Sequence, residues 1–289
     1  MKFQLDWLKE HYTPLHADEA VSHLNNSSLP PSPLVVTVDD AKVDVMEVYD
    51  IFQEFEIPLI IFVCSGWADN NERHNKATLG RIVDFVRWYQ GDMLSINLGS
   101  YGKIALDPSS LDHSVDWLIS NANQIGEEFI KTVWSIFRQH IRKGRARQTC
   151  SWSELVDLHK QGIDIGSHTV THVRLAQQSS ERLAFELSDS KRTIESYIPE
   201  CNMFAYPFGT ADVVDDRTSQ ALKDSNYHSG FLTHAGFAPN AAAPYILPRL
   251  VMPDIGINIH EFRARTRGGQ IPFDTLKQKF GLSPPLSNQ

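Results

Sequence analysis

Two histidines four residues apart are the most chemically suggestive feature of the sequence. His168 and His172 lie in the segment Gly166-Ser167-His168-Thr169-Val170-Thr171-His172, directly after the apolar run 162–165. Imidazole is the commonest protein ligand of Zn²⁺ and also binds other first-row metals. The pair alone is a weak signal, because ordinary loop histidines also occur at this spacing. A metal site would need a third ligand, a base and a pocket from elsewhere in the chain.

Two adjacent carboxylates, Asp39 and Asp40, follow the β-branched run 34–38. Side chains alternate in direction along an extended chain, so one carboxylate can bind a metal while the other faces the substrate. Asp40, His168 and His172 would form a site with open coordination positions, which is typical of a catalytic metal. Such a metal activates water and polarises a carbonyl, and Asp39 would take the proton of the water. The alternative is a helix N-cap pair, which is common where a helix follows a strand.

The elements that would position these residues alternate between apolar strands and helices. The predicted strands are 34–38, 58–64, 163–165, 203–206, 227–233 and 245–251, and the predicted helices of the same region are 2–10, 18–24, 45–55, 152–160 and 180–197. This alternation favours a parallel sheet, either in an α/β barrel or in an open doubly wound sheet. In both folds the functional residues collect at the carboxyl ends of the strands. The acidic pair, the histidine segment and Pro207-Phe208-Gly209 all follow predicted strand ends, which supports the metal interpretation.

Residues 69–150 interrupt this alternation with a connection of about 80 residues, much longer than an ordinary one. Within it we predict a helix over 79–89, a strand or hairpin over 93–106 and one or two helices over 112–141. We therefore predict a single domain over 1–289 with an insertion at about 69–150. The insertion would serve substrate recognition or subunit contact, and subunit contact would make the protein a homo-oligomer.

The composition excludes several classes of protein. A net charge of −8 argues against a general nucleic-acid binder, which would show a basic excess. No run approaches the ~20 apolar residues that a membrane-spanning helix needs, and the N-terminal residues form no apolar leader. The 3 cysteines are widely spaced, which suggests reduced thiols. We predict a cytoplasmic protein with no membrane span and no nucleic-acid partner.

Three segments, in this order, resemble the polysaccharide deacetylases with a NodB homology domain, a carbohydrate esterase family. They are Thr37-Val38-Asp39-Asp40, the histidine segment and Phe204-Ala205-Tyr206-Pro207-Phe208-Gly209, and the segments 7–12 and 247–249 are also similar. The resemblance covers most of the chain outside about 69–150. It implies a distorted (β/α) barrel with fewer than eight strands. It also implies a divalent metal, usually Zn²⁺, held by Asp40, His168 and His172, with Asp39 as the base.

The third segment implies roles around the substrate. By resemblance, the backbone N–H of Phe208, next to Pro207, would help to hold the oxyanion, as donor chemistry permits. Tyr206 and Phe208 would line a wall on which a sugar stacks. Core packing is the alternative for both rings.

Two departures from the family pattern concern the catalytic groups. Ala205 stands where many members carry an Arg that orients the catalytic Asp. Arg249 is the candidate replacement, and an ordinary surface or salt-bridge arginine is the alternative. The late Leu-x-His of the family, whose His protonates the leaving amine, has no clear match. His234 has the local pattern and His260 is the other option, with an ordinary surface histidine as the alternative for each.

The resemblance implies metal-dependent hydrolysis of an N-acyl group, N-acetyl before others, from an amino sugar in a glycan, an oligosaccharide or an activated precursor. The partner would be that carbohydrate. An O-acyl esterase, or another amide or formamide hydrolase, would use the same site. The missing Arg and the unidentified acid motivate a third alternative, a catalytically silent carbohydrate-binding barrel.

Overall fold

The computed structural model describes residues 1–68, 92–107, 110–137, 149–210, 213–238, 244–252 and 257–269, with the isolated positions 79, 82, 83, 85 and 86. The helix predicted over 79–89 lies mostly outside these residues. The chain divides into two compact units, Met1–Asp69 with Thr149–Gln289 (unit 1) and Asn70–Gln148 (unit 2).

The secondary structure of the described residues is as follows. The strands are β1 (Thr13–Pro14), β2 (Pro33–Leu34), β3 (Val36–Val38), β4 (Leu59–Val63), β5 (Leu94–Asn97), β6 (Lys103–Leu106), β7 (Asp164–Ser167), β8 (Met203–Ala205) and β9 (Ser229–Phe231). The α-helices are α1 (Lys2–His11), α2 (Ala17–Asn25), α3 (Val45–Glu54), α4 (Leu111–Ile125), α5 (Glu127–Phe137), α6 (Trp152–Lys160), α7 (Ser180–Ala184), α8 (Ser190–Glu195), α9 (Asp216–Asp224) and α10 (Ile259–Thr266). A π-helical segment, Phe185–Asp189, joins α7 to α8 without a break.

Unit 1 is built on a five-stranded parallel sheet in the order β3-β4-β7-β8-β9. The sheet curls into a half-barrel with helices around it, so the predicted distorted (β/α) barrel with fewer than eight strands is confirmed. Because all strands run in the same direction, the ends of β3, β4, β7 and β8 meet at one edge of the sheet.

The central strand β4 is buried on both faces, as expected for a parallel sheet covered on each side. Successive side chains enter different cores because a strand alternates its faces. Ile61 packs with residues of α3, α6 and the 180–195 helix. Phe62 packs with residues of α2 and with Met203 and Phe231. The apolar run that predicted this strand therefore reflects two cores.

Two predicted strands differ in the structure. The run 34–38 is divided, since β2 pairs with β1 and the hydrogen bonds of β3 go to β4. The strand predicted over 245–251 is reduced to one parallel bridge between Phe231 and Leu247. Pro248, which has no N–H to donate, follows directly and cannot extend the ladder.

Unit 2 has a hydrophobic core of its own. The strands β5 and β6 form an antiparallel hairpin in which Leu94 pairs with Leu106, as predicted for 93–106. The helices α4 and α5 pack with this hairpin around Leu118, Phe129 and Phe137. That unit 2 is an insertion in a single domain stays a prediction. Among the described helices, none has the length and hydropathy that a membrane crossing requires.

Candidate metal and catalytic site

Asp40, His168 and His172 converge at the carboxyl ends of β3 and β7. The Oδ1 atom of Asp40 lies 3.7 Å from Nε2 of His168 and 3.5 Å from Nε2 of His172. One possible ligand atom from each residue lies within 4.8 Å of the other two. Asp40 lies shortly after β3, and His168 directly follows β7. The strand β4 lies between these two strands, and its Val63 carbonyl accepts the backbone N–H of His168 at 2.9 Å.

The state of His168 fits a metal ligand. Its side chain is fully buried, and its Nδ1 lies 2.7 Å from the carbonyl of Ala205. This contact assigns the proton to Nδ1, which leaves the lone pair on Nε2. Nε2 is buried and has no hydrogen-bond partner among the described residues. A buried nitrogen of this kind, facing a carboxylate at a distance too long for a hydrogen bond, suits two ligands of one shared cation.

Four residues around the cluster have left-handed backbone angles that non-glycine residues seldom adopt. The φ angles are 70° at Asp40, 71° at Thr169, 57° at His172 and 67° at Phe208. Such conformations cost free energy and persist only where the surrounding structure holds them, often at functional sites. Ala41 is also left-handed, with φ 49°, a conformation that glycine adopts most readily. The chain therefore keeps the turn that glycine would favour.

His172 is held between two aromatic rings. Trp67 stacks on it with centroids 5.2 Å apart, and Phe208 meets it edge-on at 4.8 Å. The backbone N–H of His172 donates to Thr169 Oγ1 at 2.8 Å. Trp67 was not predicted as a site residue from the sequence, although its position shortly after the end of β4 is a signal that could have found it.

Asp39 forms a bidentate ion pair with Arg249. The two guanidinium nitrogens donate to Oδ1 and Oδ2 at 2.8 Å each, and the pair is mostly buried, with side-chain exposures of 18% and 11%. Burial raises the pKa of Asp39, but the positive charge of Arg249 and its hydrogen bonds to the carboxylate outweigh burial and lower the pKa to about 2. Asp39 is therefore a carboxylate at neutral pH. The structure brings Arg249 to the residue that it was predicted to orient.

The residues predicted around the substrate have different environments. Tyr206 is fully buried in the core of unit 1, edge-on to Phe204 at 5.2 Å, and burial raises the pKa of its hydroxyl. Its ring therefore has the core position that was the alternative to a sugar-stacking wall. Pro207 is also buried, whereas Phe208 is partly exposed beside His172. Phe208 is the one of these two rings that remains open to a substrate.

The two candidate acids lie in different places. His234 is half-buried in the segment after β9, and its carbonyl accepts the N–H of Arg249 at 3.2 Å. Its backbone is thus next to the partner of Asp39. His260 is exposed on α10. Of the two, His234 has the backbone connection to the site.

Comparison with known proteins shows similarity to polysaccharide deacetylases. Residues 115–230 match the family model described as polysaccharide deacetylase, a range that includes both histidines and Phe208 but neither Asp39 nor Arg249. A curated relative is the peptidoglycan-N-acetylglucosamine deacetylase of Bacillus cereus, 29% identical over 70 residues, which cover 24% of this chain and 32% of that protein. The chain spans about a third of the length of the curated relatives that it matches, 34% of one from Bacillus subtilis and 32% of the Bacillus cereus protein.

Two solved structures illustrate the similarity of the fold to known proteins. The Streptococcus pyogenes deacetylase PplD, in complex with acetate, has a TM-score of 0.56 at 20% identity, over 88% of this chain and 81% of that chain. IcaB from Ammonifex degensii has a TM-score of 0.58 at 16% identity, over 93% of this chain and 87% of that chain. At these identities the likeness concerns the fold.

Proposed function

We propose that this chain, whose residues 115–230 match the polysaccharide deacetylase model, is a metal-dependent hydrolase that removes an N-acyl group, N-acetyl before others, from an amino sugar. The observation that carries the proposal is the convergence of Asp40, His168 and His172 beside the ion-paired Asp39. A glycan, an oligosaccharide or an activated sugar precursor would supply the substrate.

Asp40, His168 and His172 would hold the divalent cation, with Zn²⁺ as the expected metal. A cation bound there supplies Lewis-acid polarisation of the acyl carbonyl and lowers the pKa of water. The protein contributes a fixed set of donors. The Ala205 carbonyl sets the tautomer of His168, and Trp67 and Phe208 limit the rotation of the His172 ring.

Asp39 would act as the general base. Its ionised carboxylate can accept a proton from the attacking water, and the two bonds from Arg249 fix the orientation of both oxygens. Water adds to the acyl carbon, the C–N bond breaks, and the products are a carboxylic acid and a free amine. Phe208 N–H is the proposed oxyanion donor, and His234 is the proposed source of the proton for the leaving amine.

The name of the Bacillus cereus relative supports an N-acetylglucosamine-containing substrate. The cytoplasmic location remains a prediction, and it would favour a sugar precursor over a finished wall polymer. An O-acyl ester or a formamide would meet the same site, because geometry alone does not separate these bonds.

The test is to incubate zinc-loaded protein with N-acetylated amino sugars presented as polymer, oligosaccharide and nucleotide-linked sugar, and to measure acetate and free amine. We expect release from at least one class. Asp39→Asn should lower the rate by about 10²–10⁴-fold, the usual contribution of a positioned base, while the variant still binds zinc.

Three outcomes would count against the proposed activity. Acetate released from O-acetyl sugars but from no amide would indicate an esterase. No release from any substrate, with zinc bound, would contradict the proposal. Glycan binding without turnover, unchanged in Asp39→Asn, would indicate a silent binding barrel.

A further inference from the structure

The continuous helix over 180–195 carries two polar side chains on its buried face. The buried residues of this helix are Leu183, Glu186, Leu187, Ser190 and Ile194. The hydroxyls of Ser190 and Ser167 are 2.7 Å apart. Glu186, fully buried, bonds to residues 170 and 171. The polar groups of the helix therefore contact the histidine segment on both sides of His168.

The carboxylate of Glu186 accepts hydrogen bonds from the loop between the two histidines. Its Oε2 accepts the N–H groups of Val170 and Thr171 at 2.8 and 2.9 Å, and its Oε1 accepts the Thr171 hydroxyl at 2.5 Å. Arg182 lies 2.6 Å from the same Oε1 and also donates to the Thr171 hydroxyl at 2.9 Å. Glu186, Arg182 and Thr171 thus form one hydrogen-bonded cluster behind the loop.

The opposite side of the loop is held by the end of β4. The N–H of Ser65 donates to the Thr169 carbonyl and the N–H of Gly66 donates to the Val170 carbonyl, each at 3.0 Å. A Cβ at Gly66 would lie 2.7 Å from the Val170 oxygen, so this approach requires glycine. The loop is therefore clamped from two directions, and Glu186 supplies one of them.

A fully buried carboxylate is a costly choice on a helix face that is otherwise apolar or neutral, because a charge must be removed from water. A leucine there would avoid this cost. It would also leave the N–H groups of Val170 and Thr171, which lie in a partly buried segment, without the acceptor that Glu186 supplies. Glu186 lies in the π-helical segment, and such segments often occur near functional sites.

We propose that Glu186 is a positioning residue, which holds the segment between His168 and His172 in the conformation that aims both imidazoles at a shared cation. The inference rests on the proposed function, because it takes the two histidines to be metal ligands. Glu186 itself contacts the loop and not the reacting atoms.

The experiment measures the zinc dissociation constant by competition with a chromophoric chelator, and the hydrogen exchange of the Val170 and Thr171 amides in the metal-free protein. In Glu186→Ala we expect the dissociation constant to rise by about 10–100-fold, the usual effect of removing an outer partner of a metal ligand, and both amides to exchange faster. Glu186→Gln keeps one oxygen that can accept from both amides, so its effects should be smaller.

Glu195→Ala is the matched control. Glu195 lies on the same helix and pairs with Lys191 at 2.8 Å, so this variant should keep the zinc affinity and the amide protection of the wild type. If Glu186→Ala does not fold, Thr171→Val, which removes the hydroxyl bonded to Glu186, should weaken zinc binding in the same direction.

The proposal is wrong if Glu186→Ala lowers the melting temperature while zinc affinity and amide exchange stay at wild-type values, since Glu186 would then only stabilise the fold. Absence of zinc binding by the wild-type protein would instead count against the proposed function. In that case the exchange of the Val170 and Thr171 amides would still show whether Glu186 orders the loop.

Discussion

At the scale of single residues, the pairing of Asp39 with Arg249 is the interaction on which the proposed base depends. The two residues are 210 positions apart, and the same guanidinium also donates to Thr37 Oγ1 at 2.9 Å and to the Leu232 carbonyl at 3.0 Å. A planar guanidinium can make all these bonds at once, whereas an ammonium group cannot. Arg249 therefore fixes the carboxylate from the segment after β9 and not from position 205, where the resemblance to the family would place an Arg.

Removing Arg249 should leave the Asp39 charge mostly buried and uncompensated. We expect Arg249→Met to lower the free energy of unfolding of the metal-free protein by about 3 kcal/mol, measured by urea denaturation. Arg249→Lys keeps the charge and should lose less, and the double variant Asp39→Asn/Arg249→Met should recover part of the loss. Arg265→Met, which breaks an i,i+4 pair with Glu261 on α10, is the control and should change stability by less than about 1 kcal/mol. An equal loss of unfolding free energy in Arg249→Met and Arg265→Met would contradict this account.

At the scale of elements, β7 determines where His168 lies. Gly166, on this strand, pairs with Phe62 of β4. A Cβ at Gly166 would lie 2.5 Å from Cε1 of Phe62 and 2.9 Å from the Met203 carbonyl. The Phe62 ring and the Met203 carbonyl can lie against β7 here only because residue 166 has no side chain. The histidine two residues later takes its position from this packing.

Gly166→Ala should therefore disturb both the sheet and the site. We expect the free energy of unfolding to fall by about 1–3 kcal/mol, the usual cost of overpacking, and zinc affinity to weaken because His168 is displaced. Ile165→Val is the control on the same strand, since it removes one buried methyl group, should cost about 0.5–1.5 kcal/mol and should leave zinc affinity intact. Zinc affinity at the wild-type level in Gly166→Ala would show that β7 does not position the histidine in this way.

At the scale of the whole molecule, unit 2 leaves and rejoins unit 1 at neighbouring points. The Thr149 hydroxyl donates to the Trp67 carbonyl at 3.1 Å, and Thr149 also forms an antiparallel bridge with Lys42. Each unit has its own hydrophobic core. Domains inserted between close chain ends can often be removed without loss of the host fold.

Replacing residues 70–148 with a short Gly/Ser linker should therefore leave unit 1 folded. We expect cooperative thermal unfolding, a far-ultraviolet circular dichroism spectrum typical of an α/β protein, and a zinc affinity like that of the full chain. The rate with each substrate class would then measure what unit 2 contributes to recognition. A shortened protein that unfolds without cooperativity would show that unit 2 is needed for the fold of unit 1.

Much of the fold and the central part of the candidate site could be predicted from the sequence alone. Short continuous apolar runs that alternate with helices predict a parallel sheet, and in such a sheet the carboxyl ends of the strands share one edge. Asp39, Asp40, His168 and His172 were candidates because they follow predicted strand ends, and the resemblance to the polysaccharide deacetylases implied their roles. These are local patterns, and the topology of the sheet converts them into spatial neighbours.

Only the tertiary structure decided which distant residues support the central part of the candidate site. Arg249 reaches Asp39, Glu186 lies behind the histidine loop, Trp67 stacks on His172, and Tyr206 turns into the core. These contacts depend on the curl of the sheet, on left-handed backbone angles and on a π-helical segment, none of which is marked by a local pattern. The sequence alone determined which carboxylates and imidazoles stand at the strand ends. Folding determined which other side chains hold these groups in place, because those side chains come from distant parts of the chain that only the fold brings together.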